Sequence, residues 1–213
     1  MIVRTAEQCL EVASREQVIV ATDDLRIAEV CRASGIGVEM TDSAHLTGSD
    51  RVAEVARRHS PKTVVNVQGD EPVFNPQDIL TILEASREDN TKTFIGYCDL
   101  SEEEWQDSKN IKLTFGLNNQ LLYIGRAQVP GSHSGTFHFG YRQVCIYVYS
   151  PSTLERFASV QARTPLEEIE DNEVVRFLEL GMPVEVVKLS DKSISVDRPQ
   201  DVDRVERRLS EQS

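Results

Sequence analysis

Val64 to Pro72 reads V-V-N-V-Q-G-D-E-P, and the fold is decided by how this stretch is understood. Val64, Val65 and Val67 are a short β-branched run of the kind found in buried central strands, and Gly69 ends it where two carboxylates, Asp70 and Glu71, arrive together. In a parallel α/β sheet, ligands occupy the crevice beyond the carboxyl ends of the strands. An Asp placed there can hold a hard cation such as Mg²⁺ against a substrate's phosphates. Taken alone, Gly-Asp-Glu-Pro reads better as a polar turn leading into the next helix, and it is the rest of the chain that weakens that reading.

Working outward, the 213 residues with 39% hydrophobic content are enough for one full core, and the expected organisation is a single domain over residues 1–213. The formal net charge of -12 argues against a nucleic-acid partner, because binding a phosphate backbone rests on Lys and Arg displacing condensed counterions. A small anion remains possible where a metal or local basic cluster offsets the field. Cys9, Cys31, Cys98 and Cys145 lie far apart among apolar neighbours, which suits free thiols in a reducing, cytoplasmic setting. No run of 18 apolar residues and no basic-then-apolar leader occurs, so no membrane association is expected.

Before Val64 the pattern alternates. Val3, Ala6, Leu10 and Ala13 predict an amphipathic helix; Gln17 to Ala21 predicts a strand, Leu25 to Cys31 a helix ended by Ser34-Gly35, and Gly37 to Met40 another strand. Doubly wound domains open on a strand that feeds the first helix, and no such strand precedes Val3 here. The polar segment Thr41 to Arg51 can serve as a recognition loop, since Gly48 and Ser49 allow close backbone approach, while Asp50 is read as the cap of the helix that follows. After Pro72, Asn75 and Pro76 open a helix and Thr93 to Tyr97 forms a strand.

From Asp99 the pattern changes. Lys109 to Phe115 and Leu121 to Ile124 flank Gly116-Leu117-Asn118-Asn119 and predict an antiparallel hairpin, part of an insertion over residues 99–149. Pro130 to Gly140 is a loop whose His133 and His138 lack the spacing of a zinc site. Gln143 to Tyr149 predicts a strand, Pro151 to Ser159 a helix, and Thr164 to Leu180 one continuous helix whose early carboxylates complement its dipole. Val184 to Leu189 is the last strand and Pro199 to Leu209 the last helix.

V-I-V-A-T-D-D (Val18 to Asp24), T-G-S-D-R (Thr47 to Arg51), V-N-V-Q-G-D-E-P (Val65 to Pro72), T-P-L-E-E-I-E (Thr164 to Glu170) and S-V-D-R-P-Q-D-V (Ser195 to Val202) together resemble the cytidylyltransferases that activate 3-deoxy-manno-octulosonate, or Kdo. The resemblance implies a three-layer Rossmann-like nucleotide-diphospho-sugar transferase fold carrying an inserted antiparallel hairpin. It also implies a reaction of CTP with the sugar acid to give CMP-Kdo and pyrophosphate, for lipopolysaccharide synthesis, by a homodimer that uses Mg²⁺.

Carried over residue by residue, the resemblance makes Asp70, Asp197 and Gln68 the catalytic residues, with Asp70 and Asp197 as the metal-binding pair and Gln68 beside the sugar. Thr22, Asp23, Gly48, Ser49, Arg51 and Gly69 fall on the nucleotide side. Arg126 becomes the partner of the sugar carboxylate, and Gln143, Tyr147, Glu167 and Glu170 line the sugar pocket. Three departures accompany it. Gln143 opens a segment that in the family usually begins with His, and Val174 stands where Gln is common, which opens the way to a variant sugar such as 8-amino Kdo. The family's opening strand and basic triphosphate loop have no counterpart before Met1, so low activity is expected of this form. The alternatives are a non-catalytic sugar- or nucleotide-binding remnant, or a cytidylyltransferase for sialic or legionaminic acid.

Overall fold

The computed structural model describes residues 1–89 and 91–210. Helices and strands alternate at first: α1 (Ile2–Leu10), β1 (Ile19–Thr22), α2 (Leu25–Ala33), β2 (Gly37–Met40), α3 (Gly48–His59), β3 (Val64–Val67), α4 (Gln77–Ser86) and β4 (Thr93–Asp99). There follow α5 (Glu102–Gln106), β5 (Lys112–Phe115), β6 (Leu121–Gly125), β7 (Tyr141–Tyr149), α6 (Pro151–Ala158), α7 (Pro165–Glu170), α8 (Val174–Glu179), β8 (Val184–Lys188) and α9 (Pro199–Ser210). Local chemistry explains several boundaries. Asp24 caps α2 by accepting from the Arg26 amide, and Ser150 caps α6 with Pro151 in its first turn. Helix α5, closed by a Ser101–Glu104 capping box, is an element the periodicity did not suggest.

The central strand is β7. One of its edges pairs along its length with β4, and the other is shared by β3 and β5, all antiparallel to it. β8 pairs parallel with β4 and β6 pairs with β5, so the expected hairpin extends the main sheet. β1 and β2 form a separate parallel pair. The expectation of a central Val64–Val67 strand is therefore corrected: β3 has one hydrogen-bonded partner, β7, and lies at an edge. Three half-buried valines suit an edge strand as well as a central one, whereas nine residues of β7, buried on both faces over most of its length, suit only the centre.

Alternation along the strands divides the sheet's two faces. Ile95, Tyr147, Tyr149 and Val186 pack with α3, α6 and α8 through Ala53, Phe157 and Phe177, while Phe94, Val144, Ile146 and Val148 pack with α4 through Ile79 and Ile82. That is a helix, sheet, helix sandwich. The remaining cluster is thin: Ala6 of α1 meets Val20, Cys31 and Ile36 of the β1–β2 unit. α1 joins this unit to the end of β3, with Thr5 donating to the carbonyls of Gly69 and Glu71 and Gln8 bonding the backbone of Pro72 and Phe74.

The single helix expected over Thr164 to Leu180 is two. Asp171 adopts a left-handed conformation at φ 47°, and the Asn172 side chain caps the next turn by accepting from the Val174 amide at 2.9 Å. This break turns the acidic segment toward the sheet.

Candidate active site

Beyond the end of β3 lies a cleft of about 510 Å³, walled by the β3 loop, the start of α3, β7, the α7–α8 break and the segment before α9. The register between β4 and β7 slips here, jumping from Ile95–Tyr147 to Gly96–Val144, and Cys145 in the slipped segment faces the cleft. Irregular pairing of this kind re-aims side chains beside functional sites.

Asp70 and Asp197 meet in this cleft although 127 positions separate their numbers. The connection is a backbone bond, Val196 N–H donating to Asp70 O at 2.9 Å. Burial and then the facing Asp197 carboxylate push the Asp70 pKa up, and Asp70 Oδ1 is buried without a hydrogen-bond partner. A lone-pair-rich oxygen in that state is costly unless something positive completes it. A divalent cation fits this donor set: hard carboxylate oxygens, and only two of them, suit an ion that keeps several waters. Among the described residues no group of three or more His, Cys, Asp or Glu gathers to hold a metal. Asp70 and Asp197 would hold the ion, which would polarise phosphate oxygens.

The floor is a hydrogen-bond chain. Asn172 donates to Gln143 Oε1 at 2.7 Å, Gln143 donates to the Tyr147 hydroxyl at 2.6 Å, and Gln68 donates both to that hydroxyl and to Glu173 Oε1 at 3.1 Å. Glu173 in turn accepts from the Ser49 amide and hydroxyl, each at 2.9 Å. Burial raises the pKa of Glu173, opposed by these Ser49 bonds, and burial holds Tyr147 and Tyr149 well above the ordinary phenol range. Next to Asp70, burial also raises Glu71, whose carboxylate accepts from the Ser193 hydroxyl.

Of the residues singled out from sequence, Gly48, Gln68, Asp70, Gln143, Tyr147, Arg126, Glu167 and Asp197 line the cleft. Others sit behind or beside it. Ser49 is buried beneath Gly48. Gly69 packs against α1, where a Cβ would come 2.7 Å from Ile2 Cδ1. Thr22, Asp23 and Arg51 gather at the end of β1, with Arg51 3.4 Å from Asp23 and donating to Thr41 Oγ1 at 2.7 Å.

Three assignments take a different form from the one expected. Arg126 reaches the wall, but its guanidinium donates to the carbonyls of Glu170, Ser108, Lys109 and Asp171, so a sugar carboxylate would have to displace some of them. Glu170 is held from two sides, accepting from the Tyr123 hydroxyl at 2.6 Å and the Arg126 amide at 2.7 Å, in space that exists because residue 125 is glycine. Asp50 is not the cap of α3: Thr47 is, and Asp50 lies in the first turn with its carboxylate accepting from Thr47 and Arg176.

Sequence reading also missed residues. Lys109, whose Nζ is 2.7 Å from Asp201 and 3.5 Å from Asp197, lines the cleft with Arg142, Arg163, Asn172 and Glu173. Glu173 was masked by its acidic neighbours, although its spacing of three from Arg176 puts both on one helical face and was a readable signal.

Comparison with known proteins gives the family and the fold. A family model described as cytidylyltransferase matches residues 1–188. The 3-deoxy-manno-octulosonate cytidylyltransferase of Syntrophotalea carbinolica is 36% identical over 98% of this chain and 88% of its own, and that of Geobacter metallireducens is 36% identical over 99% and 87%. Among solved structures, CMP:2-keto-3-deoxy-manno-octonic acid synthetase complexed with CTP superposes with a TM-score of 0.90 at 26% identity, covering 100% of this chain and 88% of that one. The inositol-1-phosphate CTP transferase from T. maritima, at 15% identity, covering 98% of this chain and 82% of that one, and TM-score 0.66, shares the fold. The chain belongs to the cytidylyltransferase family that includes the 3-deoxy-manno-octulosonate enzymes.

Proposed function

We propose that this chain couples CTP to 3-deoxy-manno-octulosonate, or a close variant of it, releasing pyrophosphate and forming the CMP-sugar. The observation that carries this reading is the Asp70–Asp197 edge, with a buried, unpartnered carboxylate oxygen beside a cleft of about 510 Å³. The sugar's anomeric hydroxyl attacks the α-phosphorus, a new P–O bond forms, the α–β anhydride bond breaks, and the hydroxyl proton leaves to solvent through the open mouth. Asp70 and Asp197 would hold a divalent ion, Mg²⁺ in this reading, which would lower the cost of charge on the reacting phosphates.

The chain's own groups do the positioning. Gly48 offers its backbone to the nucleotide, Gln68 and Tyr147 orient the sugar's hydroxyls, and Lys109, Arg126, Arg142 and Arg163 supply positive charge that a chain of net charge -12 otherwise lacks. Residues 1–213 act as one cytidylyltransferase-like domain. Four unpaired cysteines support a cytoplasmic setting, and the exposed Leu117 and Leu122 on the β5–β6 hairpin support a homodimer formed through residues 99–149. None of the described helices is long and apolar enough to cross a membrane. The CMP-sugar product serves lipopolysaccharide assembly.

The test is pyrophosphate release with CTP and Mg²⁺ across Kdo, 8-amino Kdo, sialic acid and legionaminic acid. Release with Kdo or its amino variant, lost in Asp70→Asn, is the expected result. Release confined to sialic or legionaminic acid would overturn the sugar assignment, and full activity of Asp70→Asn would overturn the metal edge.

A further inference from the structure

Behind the cleft, Arg176 is fully buried and makes three charge-assisted hydrogen bonds. Its Nη1 donates to Asp50 Oδ1 at 2.8 Å, its Nε to Glu167 Oε2 at 2.7 Å and its Nη2 to Glu167 Oε1 at 2.6 Å. The guanidinium carbon sits 4.0 Å from the centroid of the Phe157 ring. The planar fork uses both of its edges, which a lysine cannot do.

Each carboxylate it holds belongs to the first turn of a helix that opens on the cleft. Asp50 is tied to the cap of α3, since Thr47 donates its hydroxyl to Asp50 Oδ2 at 2.8 Å and accepts the Asp50 amide. Glu167 closes the start of α7 by accepting from the Thr164 amide at 3.0 Å. One turn before Arg176, Glu173 accepts from the Ser49 backbone amide and hydroxyl and from Gln68 Nε2. Thus α8 grips the first turn of α3 with two side chains three residues apart, and the same grip reaches the β3 loop.

A buried cation with two carboxylates is a poor way to gain stability, because desolvation offsets most of the attraction. Its directional bonds instead set the distance and angle between parts. We infer that Arg176 is a positioning residue for nucleotide binding: by holding Asp50 and Glu167 together it fixes Thr47 and Gly48, on the nucleotide wall, against the α7–α8 wall that faces the sugar. The inference rests on the proposed function for which wall receives the nucleotide. It also gives Glu167, at the edge of the cleft, a framework role within the sugar wall.

The test separates this from ordinary structural support. CTP binding with Mg²⁺ is measured by calorimetry, without turnover, on the wild-type chain, Arg176→Lys, Asp50→Asn and the double variant, with thermal unfolding in parallel. Arg176→Lys keeps the charge and is expected to remain folded, to weaken CTP binding about tenfold or more, and to raise KM for CTP while KM for the sugar moves less. The two substitutions should be non-additive in CTP affinity, since both cut the same link. A folded Arg176→Lys with wild-type CTP affinity would overturn the inference, as would additive effects in the double variant. Should Arg176→Lys fail to fold, Asp50→Asn alone decides by the same CTP readout. If the wild-type chain binds CTP but turns over no Kdo-type sugar, the sugar assignment fails while the role of Arg176 is still decided.

Discussion

Two carboxylate pairs of this molecule, Asp70 with Asp197 and Asp50 with Glu167, lie close together and use their charge in opposite ways. At the proposed metal edge, Asp70 has a buried oxygen with no partner, and burial and then the Asp197 carboxylate raise its pKa. Under α3 and α7, Asp50 and Glu167 are buried more deeply than half-buried Asp70 and exposed Asp197, yet their charge is answered by Arg176. An acid left incomplete in a folded chain stores electrostatic cost that a ligand can relieve, whereas an acid completed by protein fixes geometry. Burial alone does not separate chemistry from framework; the missing partner does.

The largest effects should come from removing each cluster's key group. Asp70→Asn is expected to cut turnover about 10³-fold, several kcal/mol of transition-state stabilisation, while leaving metal-free stability unchanged or raised because a buried charge is gone. Pyrophosphate release and urea unfolding of the same sample check both halves, and a loss of stability would break the contrast. Arg176→Met should do the reverse. It strands two buried carboxylates and is expected to cost about 3–5 kcal/mol of stability, read from urea midpoints, with partial recovery when Asp50→Asn and Glu167→Gln are added.

Ligand linkage gives a smaller effect. Mg²⁺ with CTP at about 100 times its dissociation constant should stabilise the chain by about 2.7 kcal/mol, and Asp70→Asn should abolish most of the metal-dependent part in a thermal melt. The smallest expected effect is on pH dependence. Glu173 has its pKa raised by burial, so the folded state holds its proton more tightly than the unfolded chain does. Its contribution to stability is full below the unfolded-state pKa and is lost as pH rises through the folded value. Glu173→Gln should therefore flatten the fall in ligand-free stability on the alkaline side of that range. An unchanged pH profile would show that Ser49 and Gln68 already compensate the charge.

How much of this was legible in sequence varies with the range of the cause. The alternation up to Asp99, the hairpin at Lys112 to Gly125 and most helix positions followed from periodicity and turn residues, which act over a few positions. Helix α5 escaped because five residues carry too little periodicity. The break at Asp171 escaped because a left-handed Asp costs little locally, while its benefit, bringing Asn172 and Glu173 to the floor, is paid out only by distant groups.

The amino-acid order alone was enough for a strand ending in acid at V-N-V-Q-G-D-E-P and, through five segments spread along the chain, for the family, and it nominated Asp70 and Asp197 as the proposed reactive edge. These rest on residue type and local order. Tertiary structure alone decided that β3 lies at an edge with β7 at the centre, that the donors of Arg126 are turned onto carbonyls, and that Glu167 and Asp50 are held by Arg176. The reason is physical: what a carboxylate or guanidinium does depends on which groups complete its hydrogen bonds, and here those groups lie up to 126 residues away in the chain.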